Sequence, residues 1–270
     1  MSEVSDLDER LDAIDTALDD DEIDAALGLV RDALKVYPDD PDLHMRLGDV
    51  LCEDDDVRGA HAAFRKATAL ASDAPEPWES LAWMDFALLD FDAAHRSATR
   101  ANTLGDSPGA WALLGRLAER DNQMDEADRC ARRAHKSDAE AYPLPYRISE
   151  DEFRQAVADA LDRLPDEFHA VLEGEVAVLV QSVPPLDVLQ SDDPPLDPEL
   201  LGLYTGTPLP ERDSLATSRL PDVVYLFHHN LEHVAESREE LVEEIAVTVF
   251  HEVGHYLGYD DDELEERGFA

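Results

Sequence analysis

Positive charge is scarce in this sequence. The 270 residues include 64 Asp and Glu against 22 Lys and Arg, a formal net charge of −42, and only three of the basic residues are lysines. The acidic residues are spread along the chain rather than gathered in a block, so they do not indicate a regulatory tail. Because no basic patch is present to neutralise phosphate, the sequence argues against nucleic acid or an anionic membrane as a partner.

The even acidic coat with almost no lysine is typical of halophilic proteins, which work in cells that keep molar salt in the cytoplasm. At that salt concentration the Debye length falls to about 3 Å, so repulsion between surface carboxylates is largely screened. The first ten residues are acidic and polar and lack the features of a secretory signal. No apolar run approaches the ~20 residues that span a bilayer. We therefore expect a soluble, cytoplasmic protein.

Small residues recur at a fixed spacing in the first half of the chain. The pattern starts at residues 7, 41, 75 and 108, so its period is 34, 34 and 33 residues. In the repeat that begins at Pro41, the small residues Gly48 and Ala60 let two helices approach closely. The pattern resembles the tetratricopeptide repeat over residues 7–141. The resemblance implies a solenoid of eight helices in about four repeats, with a surface for a protein partner.

The cysteines and tryptophans of this half are expected to have structural roles. Cys52 and Cys130 are the only cysteines. Both fall within the repeats, so buried free thiols are expected and a disulfide framework is not. The tryptophans are expected to pack between helices rather than to bind a ligand; they are Trp78, Trp83 and Trp111.

Two prolines, Pro143 and Pro145, end the repeat pattern because they exclude continuation of a helix. We predict a repeat domain at residues 1–142, a linker at 143–147 and a second domain at 148–270. The second domain is expected to be of the α+β class. Its predicted elements are a helix from Ser149 to about Leu164 opened by a capping box with Glu152, a strand Glu175–Ser182, an irregular segment 183–221 with a possible short strand Leu200–Tyr204, a strand Asp222–His228, a helix from Ser237 to about Leu257 ended by Gly258, and a short helix from Asp262.

The candidate catalytic and metal-binding residues lie in, or directly after, the helix predicted from Ser237 to about Leu257. His251 and His255 are four residues apart, so both imidazoles project from one face and can share a metal ion. Glu252 lies about 100° round the helix, where it can reach a water beside that metal and act as a general base. Catalytic zinc needs a third protein ligand, and the spacing favours Asp261. The alternatives are Asp260, Asp262 and Glu263.

Three stretches of the C-terminal half are similar to the small zincin-like metallopeptidase family, and the resemblance covers about residues 148–270. It implies a small sheet, an active-site helix, zinc bound by His251, His255 and an acidic residue, and Glu252 as the general base. The family does not supply a substrate. The stretches are Leu200–Leu209, Asp222–Phe227 and Thr248–Gly258.

Weaker candidates surround this motif. His228, His229 and His233 follow the second strand and could line the cleft, although such histidines are more often solvated. Glu244 is seven residues before His251 and could orient it. An extended substrate could pair with the edge of the strand Asp222–Phe227.

The sequence thus predicts a zinc-dependent metallopeptidase that uses a Glu-activated water on a protein or peptide substrate. An interaction scaffold with a structural or weakly active zinc site is the alternative, and a hydrolase of non-peptide amides is a third hypothesis. Structural zinc is usually closed by four protein ligands. Only three are easily named here, which favours catalysis. If the motif binds no metal, His251 and His255 are simply two solvated histidines on an amphipathic helix.

Overall fold

The computed structural model describes residues 3–164, 168–169, 172, 176–209, 222–259 and 263–264. The chain forms two compact units. The first comprises Met1–Tyr142 with Asp192–Pro195, and the second comprises Pro143–Ser191 with Leu196–Ala270. Within the described ranges, no helix is both long and apolar enough to cross a membrane.

Eight helices form the first unit, as the repeat pattern predicts. Consecutive helices pack in four pairs, and each pair also contacts the next. The helices are α1 (Glu3–Asp19), α2 (Ile23–Val36), α3 (Pro41–Glu53), α4 (Val57–Leu70), α5 (Glu76–Ala87), α6 (Phe91–Leu104), α7 (Pro108–Arg120) and α8 (Met124–Ser137).

The turn within each pair has one residue in the left-handed conformation. These residues follow the repeat period, and their φ angles are 60° at Asp21, 56° at Asp55, 64° at Leu89 and 56° at Asn122. Asp and Asn tolerate this region better than other residues with a Cβ, so Leu89 is the strained member of the set. The recurrence shows that one turn geometry is repeated along the solenoid.

The tryptophans and Cys130 have the buried or partly buried positions expected of them, whereas Cys52 is half-buried. Trp78 and Trp83 are partly buried against the apolar cores of the unit. The Trp111 ring lies under the guanidinium of Arg133, at 4.2 Å. Both cysteines are free thiols. Burial, as the main cause, raises the pKa of each thiol to about 11.

Gly48 allows α3 and α4 to pack closely, because a Cβ at this position would collide with the ring of Phe64. Gly48→Ala is therefore expected to lower the free energy of unfolding of the first unit by about 1–3 kcal/mol through overpacking. Gly28, in α2, is the matched control, since nothing lies within 4 Å of its added Cβ. Gly28→Ala should raise that free energy by about 0.5–1 kcal/mol through helix propensity.

Chemical denaturation followed by tryptophan fluorescence measures both variants. All three tryptophans belong to the repeats, so the signal reports this unit alone. Equal effects of the two substitutions would contradict the close α3–α4 contact.

Among its described residues, the second unit contains three strands and four helices that are described from end to end. These are α9 (Glu150–Leu161), β1 (Val176–Gln181), α10 (Leu186–Leu189), β2 (Gly202–Thr205), β3 (Asp222–Phe227), α11 (His228–His233) and α12 (Arg238–Leu257). The sheet order is β1-β3-β2, in which β3 pairs parallel with β1 and antiparallel with β2. The predicted α+β class with a small sheet is confirmed.

One prediction about this sheet is wrong. β3 has no free edge for an extended substrate, because β1 and β2 occupy both of its sides. The sequence of β3 is consistent with that position: five of its six residues are buried, as in a central strand covered on both faces.

Local signals set the ends of the two long helices. Ser149 and Glu152 form the predicted capping box of α9, which ends at Leu161 rather than Leu164. Ser237 caps α12 by accepting from Glu240 N, and Gly258 ends it with φ 91°. Ser237 and Glu240 have the spacing of a second capping box, but its reciprocal half is absent from the expected place, since the Glu240 carboxylate accepts from Glu236 N instead. α9 and α12 pack together, and α12 also contacts β2 and β3.

The prediction for the residues after β3 also needs correction. The predicted strand Asp222–His228 ends one residue earlier, and His228, His229 and His233 belong to the short helix α11. Of the predicted last helix, only Glu263 and Leu264 fall within the described residues, and both are helical.

Candidate metal centre

Helix α12 brings its two histidines together. The Nε2 atoms of His251 and His255 are 3.0 Å apart, and the rings are 4.6 Å apart at an interplanar angle of 88°. Both side chains are half-buried, and the opposite face of the helix lies in the core with Ile245 and Val249. Two imidazole nitrogens therefore converge on one point at the edge of this core.

The tautomer of His255 follows from its other nitrogen. Nδ1 donates to the carbonyl oxygen of Tyr259 at 3.2 Å, because a carbonyl can only accept. Gly258 makes this contact possible, since its left-handed conformation turns the chain back and lets Tyr259 N bond to Gly254 O. Nε2 of His255 is thus a lone-pair donor that faces His251, and a backbone contact of this kind commonly orients a metal-binding histidine.

The separation of these nitrogens suits a shared zinc ion. With Zn–N bonds of about 2.0–2.1 Å, two ligands of a tetrahedral site lie about 3.3–3.5 Å apart. The observed 3.0 Å requires only a small rotation of the rings to reach that value. A pair of imidazoles with one lone pair already directed inward fits the metal that the sequence motif implies.

The predicted third ligand, Asp261, lies outside the described residues, as do its alternatives Asp260 and Asp262. Glu263 is described and is exposed. The chain returns to α12 directly after it, because Leu264 is fully buried and lies where a Cβ on Gly254 would be. The acidic segment is therefore bracketed by two residues in contact with α12, Tyr259 and Leu264.

Glu252 contacts the sheet through its carboxylate. Its side chain is buried, and Oε2 accepts a hydrogen bond from the backbone N–H of Tyr204 in β2 at 2.6 Å. A charge-assisted bond from a backbone donor fixes a carboxylate more firmly than water does. That Glu252 stands apart from the metal ligands stays a prediction.

Gly202 sets the distance between β2 and α12. An added Cβ would lie 2.5 Å from Thr248 Cγ2 and 3.3 Å from Glu252 Cγ. A glycine within a strand often marks such a close approach. Neither Gly202 nor Tyr204 is predicted from the sequence to contact α12, although a glycine in a predicted strand is a usable signal for such a contact.

Gly202→Ala is expected to move β2 away from α12 and to disturb the Tyr204–Glu252 contact, so activity should fall at unchanged zinc content. Thr248→Ser removes the methyl group in the way and keeps the hydroxyl, which donates to Glu244 O at 2.8 Å. The double variant should therefore recover part of the lost activity, because the added Cβ would still lie 3.1 Å from the backbone oxygen of Tyr225. A double-mutant cycle on hydrolysis rates measures this coupling, and additive effects would contradict it.

The weaker candidates have different environments. His228 and His229 are buried rather than exposed at a cleft. Burial, followed by the charges of Glu243 and Glu240, raises the pKa of Glu244. A role for Glu244 beside His251 stays a prediction.

Comparison with known proteins bears on both halves of the chain. The family model of the zincin-like metallopeptidases matches residues 174–269, a range that contains β1–β3, α12 and the acidic segment. A comparison with curated proteins found no match.

Several solved structures are similar to the N-terminal part. The MamA protein is 19% identical, and the match covers 48% of this chain and 72% of that chain with a TM-score of 0.44. PilF of Pseudomonas aeruginosa is 18% identical, with 49% and 61% covered and a TM-score of 0.46. YrrB, described as a TPR protein with an unusual peptide-binding site, is 16% identical, with 61% and 88% covered and a TM-score of 0.42.

The period and the paired helices of the first unit define its fold, and the family match defines that of the second. The chain therefore carries a zincin-like metallopeptidase domain in its C-terminal part, preceded by a helical solenoid of the tetratricopeptide type.

Proposed function

We propose that the protein is a zinc-dependent peptidase whose reaction centre is formed by His251, His255 and Glu252. The observation that carries the proposal is the convergence of the two Nε2 atoms at 3.0 Å, with the His255 tautomer set by a backbone carbonyl. The metallopeptidase-type fold of residues 174–269 supports the same reaction class.

The proposed roles of these residues, metal ligand or general base, follow from their positions. His251 and His255 would hold the metal, and Asp261 is proposed as the third ligand because its segment is bracketed by contacts with α12. Zinc, when bound, supplies a Lewis acid and lowers the pKa of water to about 7. Glu252 accepts the proton of the attacking water and passes it to the leaving amine, which is the work of a general base followed by a general acid. Its bond to Tyr204 N holds the carboxylate in place between these steps.

Metal removal tests the proposal. The full chain should cleave an unfolded protein in high salt, lose that activity after treatment with a chelator, and regain it with stoichiometric zinc. Cleavage that persists without metal would contradict the proposal. Zinc binding without cleavage of unfolded proteins or peptides would favour the alternative, an interaction scaffold with a structural metal.

The repeat unit is proposed to bind a protein partner or to deliver a protein substrate, since solenoids of this type present extended surfaces. No particular partner follows from its residues. The cytoplasm is proposed as the location, on the basis of the composition alone.

The acidic surface leads to a prediction about salt. With a formal net charge of −42, the folded chain is destabilised by self-repulsion that screening relieves. The melting temperature should therefore rise as KCl increases from low to molar concentration. Scanning calorimetry across a KCl series measures it, and a flat or falling melting temperature would remove the halophilic interpretation.

A further inference from the structure

A second group of metal-binding side chains lies at the start of α11, away from the His251–His255 pair in sequence. His228, His229 and Glu232 place an imidazole or carboxylate atom within 4.8 Å of one another, and all three residues are buried. Among the described residues, this is the one group of three or more such side chains. α11 follows β3 directly, so the sheet fixes where its first turn begins.

The contacts of Glu232 are unusually dense for a buried carboxylate. His228 Nε2 lies 3.2 Å from Oε1, and His229 Nδ1 lies 3.0 Å from Oε2. Arg147 Nη1 donates to Oε2 at 2.7 Å, and the backbone N–H of Ile148 donates to Oε1 at 2.9 Å. Burial acts to raise the pKa of Glu232, but the imidazoles and Ile148 outweigh it and hold that pKa well below its usual range. Glu232 is therefore a carboxylate anion.

His228 has a nitrogen without a hydrogen bond. Nε2 is fully buried and, within the described part of the chain, has no hydrogen-bond partner. It is close to Glu232 Oε1 without the alignment of a hydrogen bond. The imidazole packs on Phe153 at 4.1 Å between ring centroids and stacks on His229 at 5.0 Å. A buried polar atom without a hydrogen bond carries a cost, which the ion pair with Glu232 at 3.2 Å offsets in part and a bound ion would offset further.

We propose that His228, His229 and Glu232 form a second divalent-metal site, structural in role and suited to zinc. Two imidazoles and a carboxylate are the donor set that zinc prefers. The N···O separations of 3.0 and 3.2 Å are near the ligand spacing of a tetrahedral site with bonds of about 2.0–2.1 Å. A metal ion would use the lone pair of His228 Nε2.

The neighbours of the site define what the metal would do. Arg147 and Ile148 hold the carboxylate, as outer partners of metal-binding carboxylates commonly do. In addition, Tyr146 N donates to the backbone oxygen of Glu232 at 2.7 Å. Residues 146–148 are thus tied to α11, and a metal ion at this point would fasten the start of the second unit to the end of β3. With three protein ligands the site would keep one position for a water, as catalytic zinc does, but all three ligand residues are buried away from a substrate, so we assign the site a structural role.

The rival account is an ionic cluster without metal, in which Arg147 and a charged imidazole balance Glu232. Two substitutions separate the accounts: His228→Gln and His229→Asn each keep a polar donor near the carboxylate but remove an imidazole ligand. Both should preserve the cluster if no metal is bound. The inference is independent of the proposed function, because its ligands are different residues.

Zinc content of the full-length protein tests the site. After exhaustive dialysis and reloading with zinc, the natural sequence should hold about two ions per chain, and His251→Ala, His228→Gln and His229→Asn about one each. The double variant His251→Ala/His229→Asn should hold none, and the exposed histidine variant His95→Ala should keep both. In the His251→Ala background, added zinc should raise the melting temperature, and His229→Asn should abolish that shift.

The two sites fail in different ways. About one zinc per chain that disappears in His251→Ala and survives in His229→Asn would overturn the second site and leave the proposed function intact. About one zinc that survives in His251→Ala and disappears in His229→Asn would support the second site and remove the catalytic one. If His229→Asn were too unstable to purify, the zinc-dependent shift of melting temperature in His251→Ala alone would decide: its absence would overturn the inference.

Discussion

Replacing Glu252 with Gln is expected to leave zinc bound and to slow hydrolysis by about 10²–10⁴-fold. The residue is not among the proposed ligands, and its carboxylate accepts a hydrogen bond from Tyr204 N at 2.6 Å. The amide oxygen of Gln can still accept that hydrogen bond, so the packing of β2 on α12 should persist. What the amide cannot do is accept a proton from the attacking water.

The control for this variant lies on the same helix. Glu243→Gln makes the same chemical change at an exposed position of α12 and should alter neither zinc content nor rate. Loss of zinc from Glu252→Gln would identify Glu252 as a ligand. Unchanged hydrolysis with full zinc would show that another group is the base.

The second large effect is expected from His255→Ala. Structural zinc sites bind with an apparent free energy of about 10–16 kcal/mol, so loss of one of three ligands should cost about 3–5 kcal/mol if each contributes a similar share. Zinc affinity at this centre should then fall by about 10²–10⁴-fold, and activity should fall with it. Competition with a chromophoric chelator measures the affinity.

His95→Ala is the matched control for the histidine variant, because this side chain is exposed on α6. It should leave zinc affinity and rate unchanged. Full affinity and activity in His255→Ala would place the metal elsewhere on the chain.

Repetition made the first unit predictable from sequence. One pair of helices is specified four times, so small residues such as Gly48 stand out from the background by their period. The turn residues are a partial exception. Asp21, Asp55 and Asn122 suit a left-handed turn, but Leu89 adopts the same conformation without a local preference for it. We infer that the packing of the repeats around Leu89 imposes its left-handed backbone conformation.

In the second unit, local signals predicted the elements but not their pairing. The capping residues Ser149 and Ser237 and the terminating Gly258 depend on hydrogen bonds within a few residues, and all three appear in the structure. The order of the sheet depends on contacts between distant segments. The central place of β3 was therefore missed, and an edge was expected where β1 and β2 pair.

In the candidate site, too, the features that depend on one helix could be predicted from the sequence, and those that depend on distant segments could not. The spacing of His251 and His255 is a property of one helix, and the geometry of α12 realises it. The bond from Tyr204 to Glu252 spans 48 residues, and that between Ile148 and Glu232 spans 84. Contacts between residues so far apart in the chain produce no periodic pattern in a single sequence. The sequence contains two partial signals for these contacts. Gly202 indicates a close approach to its strand, and the adjacent histidines His228 and His229 indicate a polar cluster after β3.

Anomalous diffraction at the zinc absorption edge, on crystals of the full-length protein, tests the central claim most directly. The account predicts a peak at about 2.0–2.1 Å from Nε2 of both His251 and His255, with an acidic side chain of residues 260–263 as the third protein ligand and Glu252 outside the ligand set. A zinc-loaded crystal with no anomalous peak between His251 and His255 would contradict it.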